Sequence, residues 1–196
     1  MPREEDRHNS ILIVSGSERF DMLVRKTLSR QRFTTIDFRK NASSGRRLFW
    51  EKAYDLIVIN CPLPDEFGHE FALDAADKSS ASVLLVVPGE IYEDVLEHVT
   101  DRGIMVLSKP AMENRIDKAI RLMIATQARI HIYEKKVQTI SDKMEELRVV
   151  SKAKLLLIEQ RHMTEDEAHR LIGRQAMDNG VSRRRIAEQI LDEFEA

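Results

Sequence analysis

Cysteine is nearly absent from this chain. One residue, Cys61, among 196 excludes an internal disulfide framework and a cysteine-based zinc ribbon. Glycine and proline are also sparse, at 7 and 5 residues, which points to long helical surface. No apolar run approaches the roughly 18 residues that span a bilayer, and the polar stretch Met1–Ser10 lacks the apolar core of a signal peptide. These features predict a soluble, cytoplasmic protein with no membrane association. Charge of one sign is missing too: 31 Lys+Arg against 33 Asp+Glu give a net −2, so overall charge carries no nucleic-acid signature. What the chain has is charge of both signs, 33% of residues against a norm of about 25%. With 42% hydrophobic residues, it can form a core and long exposed helical surfaces.

The first half alternates short apolar runs with helical periodicity. Ile11–Val14, Thr34–Phe38, Leu56–Ile59, Val83–Val87 and Met105–Leu107 read as strands. The spacing predicts helices over Glu18–Arg30, over a segment carrying Leu48, Phe49 and Trp50 capped by Ser43 or Ser44, near Glu66–Ala76, and over Ile91–Thr100. This βαβ pattern predicts an α/β domain with a five-stranded parallel sheet covered on both faces. Function in such sheets sits at the carboxyl ends of the strands. Those ends hold Ser15-Gly16-Ser17, Asn60-Cys61-Pro62-Leu63-Pro64, Val87-Pro88-Gly89 and Ser108-Lys109-Pro110. Lys109 is the one charged group there. Mg²⁺ needs hard carboxylate oxygens, and none stands at these positions; Glu18 comes one turn late and Asp65 follows the turn proline. Cys61 reads as a small buried hydrophobe, and Lys109 as a lysine bonding loop carbonyls or Asn60.

From Met112 to about Arg161 neither glycine nor proline interrupts a helical segment. Ile116, Ile120 and Met123 form one apolar face. Ile130, Tyr133, Val137, Ile140, Met144 and Leu147 then alternate spacings of three and four, the heptad period of a coiled coil. If the earlier face closes the α/β domain, this seam lacks an intramolecular partner, which predicts a parallel homodimer.

The last fifty residues predict a three-helix unit. Thr164-Glu165-Asp166-Glu167 is a capping box, Asn179-Gly180 ends the helix it opens, and Ser182 caps the last helix. Ala153, Leu156 and Leu157, then Ala168, Leu171, Ile172, Ala176 and Met177, then Ile186, Ala187, Ile190, Leu191 and Phe194 form the apolar faces. Between Arg148 and Leu191 stand nine Lys/Arg against six Asp/Glu. Arg183, Arg184 and Arg185 occupy a helix first turn, where cations oppose the helix dipole, a local excess suited to phosphates. The six histidines are scattered, and His162 with His169 lacks a third ligand. No nucleophile–base or metal-ligand spacing appears, so neither an enzyme, a metal site nor a cofactor is expected.

Two resemblances follow from these residues. Tyr54-Asp55-Leu56-Ile57-Val58-Ile59-Asn60 with Pro64, Gly68 and Lys109-Pro110 resembles the receiver domain of bacterial response regulators, with its flavodoxin-like fold. The resemblance implies that the phospho-acceptor position is Asn60, the acidic pair falls on Ser15 and Gly16, and the switch hydroxyl on Val87. Only Lys109 is kept, which implies a degenerate pseudo-receiver that aspartyl phosphorylation does not control. Ala153-Lys154, Thr164–Ala168, Ala176-Met177 and Ile186-Ala187 resemble the ANTAR domain, the RNA-binding module of AmiR- and NasR-type antiterminators; Leu155 departs from a common glycine. The expected domains are a pseudo-receiver over 1–125, a linking coiled-coil helix over 112–150 and an ANTAR-like domain over 135–196. The resemblance implies a dimer that binds paired hairpins in nascent mRNA and prevents terminator formation. Its expected RNA contacts are Ala153, Lys154, Arg170, Arg174, Arg183, Arg184 and Arg185. A regulatory protein or ligand at the receiver-like half is left as the source of any signal. Two other readings stay open: a helix-turn-helix DNA binder built from the last two helices, and a protein-interaction adaptor.

Overall fold

The computed structural model describes residues 9–29 and 33–195. The polar N-terminal residues 1–8 and Arg30, the expected end of the first helix, lie outside them. The described chain divides after His131 into two compact units.

The first unit is a parallel sheet of five strands: β1 (Asn9–Ser15), β2 (Phe33–Arg39), β3 (Leu56–Asn60), β4 (Ser82–Val87) and β5 (Met105–Ser108). Their order is β2-β1-β3-β4-β5, the doubly wound flavodoxin-like arrangement. Helices α1 (Glu18–Leu28), α2 (Ala42–Glu51), α3 (His69–Lys78), α4 (Tyr92–Val99) and the long α5 (Glu113–Arg161) connect and follow the strands. Side chains alternate across a strand, and the central strands need apolar residues on both sides. Ile11, Ile13, Leu56, Val58, Leu84 and Val86 pack with Phe20 and Val24 of α1 and Ile116, Ile120 and Met123 of α5. Leu12, Val14, Ile57, Ile59 and Leu85 pack on the other face with Leu48, Phe49 and Phe71. This explains the near-continuous apolar runs.

Three local readings are corrected. The cap of α2 is Asn41, whose side chain accepts from Ser44 N, and not Ser43 or Ser44. Trp50 points outward, 61% exposed, while Phe49 takes the core position. Helix α3 starts at His69 instead of Glu66, because Glu66 O accepts from Leu63 N at 2.9 Å in a loop. Gly68 then turns the chain at φ +106°, where a Cβ would meet Ile59 Cγ2 at 3.0 Å and Cys61 Sγ at 3.2 Å. That close approach and left-handed backbone both call for glycine.

The first part of α5 is fastened to the sheet by polar contacts as well as packing. Gln127 Nε2 donates to Ser80 O at 2.6 Å and Ser82 Oγ at 3.2 Å. His131 Nε2 lies 3.1 Å from Asp55 Oδ1, and Asp55 also accepts from Ser10 N and Ser10 Oγ, each at 2.8 Å.

The second unit packs the end of α5 with α6 (Glu165–Asn179) and α7 (Arg183–Glu195). Its core is Ala153, Leu157, Ala168, Ile172, Ala176, Ile186, Ala187 and Ile190. The capping box at Thr164 is formed in both directions, and Gly180 (φ +63°) ends α6. Ser182 Oγ accepts from Arg185 N at 3.2 Å. Met177, expected on the inner face, is instead 83% exposed; Ala176 occupies that face and turns its neighbour out.

Candidate functional site

Two places merit a chemical description: the crevice at the strand ends of the first unit, and the surface of the second.

In the sheet order, β1 lies between β2 and β3, so the connections diverge at the β1/β3 boundary and open a crevice there. Ser15 and Asn60 stand in register at the two strand ends. Asn60 Nδ2 donates to Ser15 Oγ at 2.9 Å, and Ser15 Oγ accepts from Ser17 N at 3.1 Å. Lys109 Nζ donates to the Cys61 carbonyl at 2.5 Å. Burial pulls the Lys109 pKa down, opposed only by Cys61. Burial also pushes the Cys61 thiol up to about 12, which makes it an unreactive thiol near neutrality. Val87 is fully buried, and its carbonyl accepts from Lys109 N at 2.8 Å.

The receiver pattern implies Mg²⁺ here, and the donor set does not fit it. Ser15 and Asn60 offer neutral oxygens, and Gly16 offers no side chain. A Cβ at Gly16 would lie 2.8 Å from Pro64 Cγ, so a carboxylate could not be placed there without moving the loop. Asp65 is engaged elsewhere: it accepts from Ala42 N at 2.8 Å and Ser43 N at 2.9 Å, at the start of α2. Among the described residues, no group of three or more His, Cys, Asp or Glu side chains could hold a metal ion.

The second unit carries the cations on its outside. Arg170 and Arg174 of α6 and Arg183 of α7 line one cavity of about 410 Å³ together with His169, Gly173 and Met177. His169 and Arg183 also line a neighbouring cavity of about 340 Å³ that includes Lys154 and Ser151 of α5. The Arg183 guanidinium lies over Gly173, where an added Cβ would be 3.8 Å from its Nη2. Arg174 and Arg183 have no ion-pair partner among the described residues, and both are exposed. Lys154 Nζ is 2.8 Å from Glu165 Oε1.

The expected contact residues therefore separate. Lys154, Arg170, Arg174 and Arg183 come together on these cavity walls. Arg184 turns back to Glu188 at 2.8 Å, and Arg185 lies 3.9 Å from the same carboxylate. Ala153 is a correction: it is fully buried, because its small side chain lets α5 approach its neighbours in the core, and it offers no surface to RNA. Sequence reasoning missed His169, Gly173 and Met177. The signal was their helical spacing with Arg170 and Arg174, which places all five on one stripe of α6.

The ANTAR domain matches residues 138–191. The transcriptional regulatory protein PdtaR of Mycobacterium tuberculosis (strains CDC 1551 / Oshkosh and ATCC 25618 / H37Rv) is 32% identical over 139 residues, covering 70% of this chain and 67% of that protein. Among solved structures, the signal receiver domain of an HD domain-containing protein from Pseudomonas fluorescens Pf-5 aligns with TM-score 0.56 at 22% identity, over 64% of this chain and 93% of that one. The chemotaxis response regulator CheY4 of Vibrio cholerae aligns with TM-score 0.53 at 16% identity, over 60% and 99%. At these identities the structures show the fold of the first unit alone.

Proposed function

The chain belongs to the ANTAR-domain response regulators, transcription regulators with a receiver domain, and from that premise we propose that it is a dimeric, RNA-binding antiterminator whose receiver half is not switched by aspartyl phosphorylation. The observation that carries the RNA reading is the cavity shared by Arg170, Arg174 and Arg183 beside the exposed Met177. Cations on its walls neutralise phosphates. An exposed apolar side chain, with the Arg183 guanidinium lying beside it over Gly173, suits the face of an unstacked base, the kind of base that hairpin loops present. Arg184 and Arg185 act in a secondary way, since Glu188 already holds them.

Dimerisation is supported by the seam. Tyr133, Val137, Ile140, Met144 and Leu147 are 55–67% exposed on one stripe of α5, and Ile130 is half-buried. A contiguous apolar stripe of this kind at heptad spacing is covered when two copies pair. Two modules on one dimer would then engage two hairpins, the second binding event being intramolecular. In the first unit, an amide at position 60 and the lack of carboxylates at 15 and 16 leave neither a phosphoryl acceptor nor a metal cage.

Gel shifts with a paired-hairpin RNA and with duplex DNA at equal salt test the reading. Preferential binding of the hairpin RNA is expected. Sequence-specific preference for the duplex would favour a helix-turn-helix reading of α6 and α7. A Lys154→Ala/Arg174→Ala variant with undiminished RNA affinity would favour an adaptor.

A further inference from the structure

Among the described residues, no carboxylate pairs with Lys109, whose ammonium is bonded to the Cys61 carbonyl in the crevice. Lys109 lines a cavity of about 550 Å³, within the range of small-molecule sites, together with Asn60, Arg19 and the apolar side chains Phe20, Leu23 and Met112. The Lys109 ammonium has three N–H donors, and the Cys61 carbonyl takes one of them. Glu113 also borders the cavity, and its carboxylate is 2.7 Å from Lys26 Nζ. The three positions that would face Lys109 with carboxylates in the receiver pattern hold Ser15, Gly16 and Asn60. Asn60 is 4% exposed, and while its Nδ2 is bonded to Ser15, its Oδ1 has no hydrogen-bond partner among the described residues. A half-buried cation and an orphaned buried acceptor on one cavity are both unfavourable until something supplies an anion and a hydrogen.

We propose that this cavity is a binding site for a small 2-hydroxycarboxylate with an apolar side chain. The carboxylate meets Lys109, with Arg19 at the rim. The hydroxyl donates its hydrogen to Asn60 Oδ1, and the apolar body lies against Phe20, Leu23 and Met112. A hydroxyl suits the position better than an ammonium, which Lys109 repels. The hydroxycarboxylate also suits the site better than inorganic phosphate, which brings no apolar body to Phe20, Leu23 and Met112. The inference rests on the crevice being silent to phosphorylation.

Isothermal titration of the full chain with 3-phenyllactate tests it, with 3-phenylpropionate, phenylalanine and inorganic phosphate as comparisons. Saturable binding of phenyllactate is expected. Phenylpropionate, lacking the hydroxyl, should bind about tenfold more weakly, and phenylalanine and phosphate more weakly still. Lys109→Met should abolish phenyllactate binding, and Asn60→Ala should reduce it to the phenylpropionate level. The native protein's ranking of the four compounds decides the matter even if a variant misfolds. Absence of saturable phenyllactate binding at millimolar concentration, or equal binding with and without the hydroxyl, overturns the site. Intact mass after acetyl phosphate with Mg²⁺ separates the two readings. A phosphoryl mass gain overturns the silent crevice itself, whereas no gain combined with no phenyllactate binding overturns only the ligand site.

Discussion

The two units handle charge in opposite ways. In the first, ionisable groups are spent on scaffold: Asp65 caps α2, Asp55 joins β1 to α5 through Ser10 and His131, and Arg46 reaches both Glu66 and Asp74 between α2 and α3. Lys109 is held inward on a backbone carbonyl. In the second, apolar residues fill a small core, and Arg170, Arg174 and Arg183 stay on an open surface. A sheet whose strand ends hold Ser15, Gly16 and Asn60 still works as a scaffold, and the proposed RNA surface lies on the small helical unit. Net charge hides this, because it averages a paired unit with a patterned one.

The comparison breaks most easily at the seam. Ile140→Lys with Met144→Lys should convert a dimer into a monomer by light scattering, and weaken binding of a paired-hairpin RNA by about 10² as the effective concentration of the second module disappears. Binding of a single hairpin should change little. Next in size, Arg174→Ala with Arg183→Ala should weaken RNA binding by tenfold or more. It should also reduce the slope of log affinity against log salt by about one for each phosphate that is no longer neutralised. Both residues are exposed, so the melting temperature should not move. A stability effect follows: Thr164→Ala removes the capping box of α6 and should cost about 1 kcal/mol in chemical denaturation.

The smallest effect belongs to the scaffold carboxylate Asp65. Burial raises its pKa, but hydrogen bonds from Ser43 N, Ala42 N and the Ser43 hydroxyl outweigh that and hold it at about 2. Its folded pKa is depressed, so its contribution is fully present above the ordinary aspartate value near 3.8 and is lost as pH falls from there through about 2. Wild type should be more stable than Asp65→Asn near neutrality, and thermal unfolding should show that advantage vanishing across this acid window.

The strands were legible because two-sided burial forces apolar runs: Ile11–Val14 and Leu56–Ile59 could hardly be anything else. The helical spine was legible from its missing helix breakers, and the capping box at Thr164 from its spacing. What escaped depended on tertiary context. Asn41 outcompetes two neighbouring serines as a cap, and Asp65, distant in sequence, supports the same helix end. Ala153 belongs to a recognisable motif, yet burial makes it a packing residue. Arg183, Arg184 and Arg185 look equivalent in sequence, and Glu188 one turn on separates the last two from the first. Met177 beside Ala176 shows the limit of periodicity, since a one-residue step turns an apolar side chain to solvent.

The most direct measurement compares the affinity of the full chain for an RNA carrying two hairpins with its affinity for each hairpin alone, at fixed salt. A dimer presenting two basic modules should bind the paired hairpins about 10²-fold more tightly than either one, with two protomers per RNA. Equal affinity for one and two hairpins, or one protomer per RNA, would contradict the account.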